Sequence, residues 1–175
     1  MRAPLKDQSD YAELIAYAET TREPLKWKAM LVMSFELGLR PIEIAQLDTN
    51  QIRGGELRIR QGHTKGKRGR SLPIRQEAID ALLAYTQGRQ GPVFLNAKGE
   101  AMDAAAVSSA MRRLYREAGQ AGSCYSGRRT LLTDLVERDV NILTVQSIAG
   151  HSSPVTTLQY VGITPSMMRK ALYGE

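Results

Sequence analysis

Along the chain, apolar positions recur mostly at helical spacing, with one short stretch of strand-like alternation. Tyr11, Leu14, Ile15 and Ala18 form a first helical stripe, and Asp10 followed by Glu13 makes a capping box in front of it. Pro24 suits the first position of a second helix. Its apolar face is Trp27, Met30, Leu31 and Phe35, and Gly38 can end it. Pro41 suits the first turn of a short helix over 42–47. Arg40 precedes a proline and is steered away from the α region. It therefore belongs to a tight joint between two helices, where a side chain can be aimed.

Residues 54–61 alternate, with Leu57 and Ile59 apolar and Arg58 and Arg60 basic. A Gly- and Lys-rich turn over 62–69 and the segment RSLPI complete two strands with a basic tip. Gln76 to Thr86 returns to helical spacing through Ile79, Leu82 and Leu83, and PVFL (92–95) reads as a short strand. Asp103 caps a helix with Val107, Ala110, Met111, Leu114 and Tyr115 on one face. Residues 127–138 form another helix. Asn141 caps a helix that Gly150 terminates, and Ser153-Pro154 starts one running to about Tyr160. Thr164-Pro165 repeats that device for a last helix with Met168, Ala171 and Leu172 apolar. The expected fold is mainly α with a small antiparallel β-sheet.

With 175 residues the chain has the length for one domain with a real core. No apolar run approaches the roughly 18–20 residues of a membrane helix. Cys124 is the only cysteine, so an intrachain disulfide is excluded. Lys and Arg number 24 against 18 Asp and Glu, a net charge of +6 that favours a polyanionic partner. The excess is uneven. From Leu57 to Gln76 there are seven bases and no acid.

Four islands offer chemistry: GLRPIEI (38–44), TKGKRGRSLPI (64–74), YSGRRT (125–130) and AGHSSPVTTLQY (149–160). Each sets cations or a hydroxyl in a joint or turn. None supplies a carboxylate cluster for a metal or a phosphate-binding glycine loop. Taken singly they have plain readings: Tyr160 a half-buried core tyrosine, His151 a capping residue, the hairpin bases solvated. Taken in order and spacing, over roughly residues 25–160, they resemble the catalytic domain of tyrosine recombinases, the phage integrase family. The most specific part is Gly150-His151, with Tyr160 nine residues beyond the histidine.

The resemblance implies the tyrosine recombinase catalytic-domain fold and a set of roles. Arg40 and Arg128 are the two arginines of the family's active site, and Glu43 is the acidic neighbour of the first. Glu43 reads more readily as a carboxylate holding a basic side chain than as a general base. Lys65 matches the hairpin lysine, with Lys67 the close alternative. His151 precedes the nucleophile, Tyr160. Lys67, Arg68, Arg70 and Arg129 are the expected DNA-binding positions. One place departs: where the family usually has the histidine of His-x-x-Arg, this chain has Tyr125. A phenol of pKa ~10 does not replace an imidazole of ~6.5 in acid–base work, though it can still hydrogen-bond a phosphate oxygen.

The implied activity is site-specific DNA recombination (integration, excision or inversion) through a covalent 3′-phosphotyrosyl intermediate, without cofactor or metal. Two fixed guanidiniums suit the charge that gathers on the non-bridging oxygens. The implied partners are double-stranded DNA and further copies, a homotetramer on paired sites and a monomer when free. The implied setting is the cytoplasm, bacterial or phage-encoded. Residues 1–160 are the expected catalytic unit. Residues 161–175 are the expected tail, docking on a neighbouring subunit or folding back. Family members usually carry a further N-terminal DNA-clamping domain, so the chain reads as an excised part or a minimal recombinase. Tyr125 also motivates a catalytically impaired binding module as an alternative, and the shared chemistry a type IB topoisomerase-like enzyme.

Overall fold

Most helices begin where the sequence supplies an acceptor for the first free backbone N–H groups. In this computed structural model, which describes residues 6–60, 69–160, 168, 169 and 172–174, α1 (Gln8–Glu19) is capped by Asp7. The Asp7 carboxylate accepts from the N–H of Asp10, and Asp10 accepts from the N–H of Asp7. The expected box at Asp10 and Glu13 thus lies one turn too late. The Lys6 N–H donates to the Thr130 hydroxyl, which fixes the chain early enough for the extra turn.

Pro24 opens α2 (Pro24–Phe35), and Pro41 opens α3 (Pro41–Ala45). Arg40 between them is extended, at φ −73 and ψ 155, as a residue before proline should be. A 3₁₀ turn (Thr49–Gln51) leads into a three-stranded antiparallel sheet of β1 (Ile52–Arg53), β2 (Glu56–Ile59) and β3 (Arg70–Pro73), in that order. Leu57 pairs with Leu72 and Ile59 with Arg70. The short β1 has no signal of its own in the sequence. The tip expected over 62–69 lies outside the described residues except for Gly69.

After α4 (Gln76–Thr86) the chain crosses 92–95 without forming a strand. Only isolated bridges occur there, Asp48 to Pro92 and Leu95 to Ala101. Val93 and Phe94 are nevertheless buried, because the segment plugs the core rather than extending the sheet. The helices α5 (Ala104–Glu117), α6 (Ser126–Glu137), α7 (Ile142–Ala149) and α8 (Pro154–Leu158) follow. Asp103, Asn141 and Ser153 cap α5, α7 and α8 through their side chains, and Gly150 closes α7 at φ +60. The last helix expected from Thr164-Pro165 is described only at residues 168, 169, 172 and 173, where it is helical; Met168 and Leu172 are exposed.

The side chains bury in two groups. The larger contains Leu14, Trp27, Met30, Leu31, Met33, Leu39, Ile44, Leu57, Leu72, Phe94, Met111 and Leu114, and α2 runs through its centre. The smaller contains Leu132, Val136, Val145 and Ala149, with Tyr160 packed against it. Among the described residues no helix is long and apolar enough to cross a membrane.

Candidate active site

The C-terminal end of α7 leaves carbonyls without intrahelical partners, at the negative end of the helix dipole. Three consecutive carbonyls there each take a guanidinium from a different element. The Arg70 Nε, on β3, donates to the Ile148 carbonyl at 2.9 Å. The Arg128 Nη2, in the first turn of α6, donates to the Ala149 carbonyl at 2.7 Å. The Arg40 Nη2 donates to the Gly150 carbonyl at 3.0 Å. Arg128 also donates from Nη1 to the Gly38 carbonyl, so one buried side chain joins the Gly38–Arg40 joint to α7. Two glycines make this closeness possible. A Cβ on Gly150 would lie 2.6 Å from Arg70 Nη1, and one on Gly127 would lie 2.6 Å from the Ser34 hydroxyl and 2.9 Å from its backbone. The second glycine lets the first turn of α6 press onto α2.

Glu43 binds the arginines from the other side. Its Oε1 accepts from Arg40 Nη1 at 3.0 Å and from Arg70 Nη1 at 2.7 Å. Its Oε2 accepts from the Arg40 backbone N–H at 2.8 Å and from Arg70 Nη2 at 3.2 Å. Burial pushes the Glu43 carboxyl up. The Arg70 hydrogen bond and charge, with those of Arg40, more than reverse this and hold its pKa at about 2. Burial, then the Arg40 charge, lower the Arg128 pKa to about 10, which leaves it protonated at neutral pH.

His151 follows the helix-ending glycine. Its backbone N–H donates to the Gln146 carbonyl, and its own carbonyl accepts from the Gln146 amide. Nε2 lies 3.0 Å from Arg128 Nη2, and Nδ1 lies 2.9 Å from the Thr157 hydroxyl. Burial, then the charges of Arg128, Arg40 and Arg70, push its pKa down to about 4, so the ring is neutral at pH 7. The Tyr160 ring stacks on it, with centroids 6.1 Å apart and planes 14° apart. Arg40, Glu43, Arg128, His151 and Tyr160 thus meet in one place.

A protein-family model, that of the phage integrase family, matches residues 6–167. The chain belongs to the phage integrase family. The tyrosine recombinase XerC of Pelobacter propionicus is 28% identical over 174 residues, covering 93% of this chain and 57% of that one. XerC of Azotobacter vinelandii is 30% identical, over 76% of this chain and 46% of that one. The chain spans about half the length of these curated relatives. Among solved structures, a Tn1549 transposon integrase in complex with a circular-intermediate DNA superposes with a TM-score of 0.83 at 17% identity, over 100% of this chain and 67% of that one. The catalytic domain of bacteriophage HP1 integrase gives 0.73 at 22% identity, over 98% and 94%. The XerH recombinase bound to its difH substrate gives 0.75 at 18%, over 98% and 54%. At these identities the likeness establishes the fold.

In this phage integrase domain Tyr125 stands one turn before Arg128, at the start of α6, half exposed to solvent. Arg129 is the next residue of α6 after Arg128 and is partly buried. Lys65, Lys67 and Arg68 lie outside the described residues. Arg70, expected as a DNA-binding position, is engaged within the fold. Its side chain turns inward, 11% exposed, with Nε and both Nη atoms engaged. The reason is strand alternation. Arg70 shares a face of β3 with the buried Leu72, while Arg58 on β2 lies on the exposed face. That alternation was the available signal, and the acid-free charge run hid it. Two further features of the integrase site were missed in the sequence: the carbonyl row at residues 148–150 and the buried Thr157.

Proposed function

We propose that the chain is the catalytic part of a site-specific DNA recombinase that breaks and rejoins a strand through a covalent 3′-phosphotyrosyl link. One observation carries this reading: two guanidiniums are locked on adjacent carbonyls while a tyrosine stacks on the histidine beside them. A guanidinium has five N–H donors. Arg40 spends two on Glu43 and Gly150, and Arg128 spends three on Gly38, Ala149 and His151. Among the described residues, five donors are left for the oxygens of a phosphate.

The charge balance agrees. Arg40, Arg70 and Arg128 against one Glu43, with His151 neutral, leave two positive charges. A phosphodiester carries one negative charge, and the pentacoordinate state formed when a phenolate attacks it carries two. The site therefore matches the transition state better than the ground state. The Tyr160 phenol releases its proton to solvent as its oxygen attacks phosphorus, the bond to the 5′ oxygen breaks, and that oxygen takes a proton from Lys65 or Lys67. A 5′-hydroxyl of another strand later attacks the phosphotyrosine, returns its proton to that lysine and displaces the phenolate, which takes a proton from solvent. Bond energy is conserved, so no nucleotide cofactor enters.

Double-stranded DNA is the substrate in this reading. Lys67, Arg68 and Arg129 lie along its backbone, and affinity falls steeply with salt. Residues up to 160 form the catalytic unit. Residues 161–175 reach a neighbouring subunit, giving a tetramer on paired sites from free monomers. Recombinases of this kind work in the cytoplasm on chromosomal DNA.

A duplex with a nick beside the cleavage site traps the intermediate, because the short 5′ fragment diffuses away. A denaturation-resistant adduct absent in Tyr160→Phe is the expected result. Binding without an adduct in the unaltered chain would favour the impaired module suggested by Tyr125. Relaxation of supercoiled plasmid at arbitrary sequences, without recombinant joints, would favour the topoisomerase-like reading.

A further inference from the structure

The two nitrogens of His151 are held by different elements, and the donor-only partner of one of them fixes the proton. Nε2 lies 3.0 Å from Arg128 Nη2. A guanidinium only donates, so in the neutral ring Nε2 is the acceptor. The single ring proton is then on Nδ1, which donates to the Thr157 hydroxyl at 2.9 Å. Thr157 is fully buried and lies in α8, three residues before Tyr160, whose backbone N–H donates to the Thr157 carbonyl at 3.0 Å. The chemistry above gives Thr157 no task.

We infer that Thr157 is a positioning residue: by accepting the Nδ1 proton of the tautomer that Arg128 selects, it holds the orientation of His151, keeps Nε2 turned toward Arg128, and ties that setting to the segment carrying Tyr160. The inference rests on the recombinase reading for its phosphate, but not for the tautomer. The groups around the ring are Arg128 from α6, Arg40 ahead of α3, Arg70 from β3, Glu43 from α3, and Tyr160 after α8. The three cations oppose a second proton on the free ring. An arriving phosphate offsets them and occupies guanidinium donors. With Nδ1–H held on Thr157, the ring cannot turn and Nε2 stays on Arg128.

The chain has two histidines, His63 and His151, so a His63→Gln background leaves one imidazole for long-range proton–nitrogen spectra. At pH 7 the free protein is expected to show His151 as the Nδ1–H tautomer. Thr157→Val keeps the shape and removes the hydroxyl. It should leave Nδ1–H without its acceptor, shifting the Nδ1 resonance while Arg128 still holds the proton there, and slow single-turnover adduct formation on the nicked duplex about tenfold, the worth of one ordinary hydrogen bond, with duplex affinity within about twofold. Thr157→Ser should keep both the tautomer and the rate. An Nε2–H tautomer in the unaltered protein overturns the inference. So does Thr157→Val with unchanged spectrum and rate, or Thr157→Ser as slow as Thr157→Val. If Thr157→Val does not fold, the spectrum of the unaltered protein and the serine variant still decide. If the unaltered protein forms no adduct, the recombinase reading falls while the spectra still settle the tautomer.

Discussion

Replacing Glu43 by glutamine removes the one carboxylate set among three guanidiniums. Its two oxygens accept four hydrogen bonds, from Arg40 Nη1, the Arg40 N–H and both Arg70 Nη atoms. Glutamine keeps one oxygen and puts an NH₂ where the other stood, so donors face donors whichever way the amide turns. The side chain is 12% exposed, so solvent screens little of this. A carboxyl held from its ordinary 4.5 down to about 2 contributes roughly 3 kcal/mol at neutral pH. Breaking a buried ion pair by removing one partner costs about 3–5 kcal/mol, which agrees.

The sign follows from which state binds the proton more readily. The folded pKa is depressed, so the contribution is fully present above about 4.5 and is lost as pH falls through that value toward 2. Urea unfolding of both proteins, followed by circular dichroism at pH 7 and pH 3, measures it. At pH 7, Glu43→Gln should be about 3 kcal/mol less stable, and at pH 3 more than half of that gap should have closed. Adduct formation should fall on the order of 10²-fold, because Arg40 is no longer clamped at both backbone and side chain. A gap under about 1 kcal/mol at pH 7, or an equal gap at both pH values, refutes the reasoning.

Gly127→Ala should lower stability by about 1–3 kcal/mol, since its Cβ would meet Ser34 backbone as well as its hydroxyl; thermal unfolding tests this, and an unchanged midpoint shows that α6 yields freely. His151 resists a proton that the unfolded chain accepts, with its pKa lowered from 6.5 to about 4. Stability should therefore be full above about pH 6.5 and decline as pH falls from there toward 4. His151→Gln should flatten urea midpoints between pH 5 and 6.5, and a slope that persists in the variant assigns the effect elsewhere. Tyr125→His should change stability by less than about 0.5 kcal/mol, because Tyr125 is half exposed. It should also raise adduct formation with little change in DNA affinity. An unchanged or lower rate shows that this site does not lack the imidazole.

Local rules read well where one residue's chemistry sets the backbone. Pro41 forces Arg40 into an extended joint, Gly150 ends α7 in the left-handed region, and Asp103, Asn141 and Ser153 cap the helices they precede. These features set the arginine joint, the histidine and the tyrosine in order along the chain, so the main site was legible. What failed depends on partners distant in sequence. The pull of Thr130 on Lys6, 124 residues away, starts α1 a turn early. Residues 92–95 have strand composition but meet core on more than one side, which leaves no sheet edge for them. The charge run makes Arg70 look like one more DNA-binding base, because charge density is visible in a sequence while the acceptors at Ile148 and Glu43 are not.

The two hydrophobic groups explain why three arginines gather at the end of α7. Arg40 stands beside the larger group, whose members Leu39 and Ile44 flank it, and Arg70 stands beside Leu72 of that group. The smaller group holds α6 and α7 together and carries Tyr160. Arg128 reaches from one to the other, with Gly38 at one end and Ala149 at the other. Arg40 and Arg70 cross the same seam to Gly150 and Ile148. The seam is therefore polar and charged where continuous apolar packing would have been simpler and often no less stable. Arg70 spends Nε and both Nη atoms on the fold, whereas Arg40 and Arg128 each keep some donors unspent among the described residues. A phosphate bound there would add its own bridges between the two groups. Substrate affinity and the registration of the tyrosine's support against the main core would then draw on the same set of hydrogen bonds.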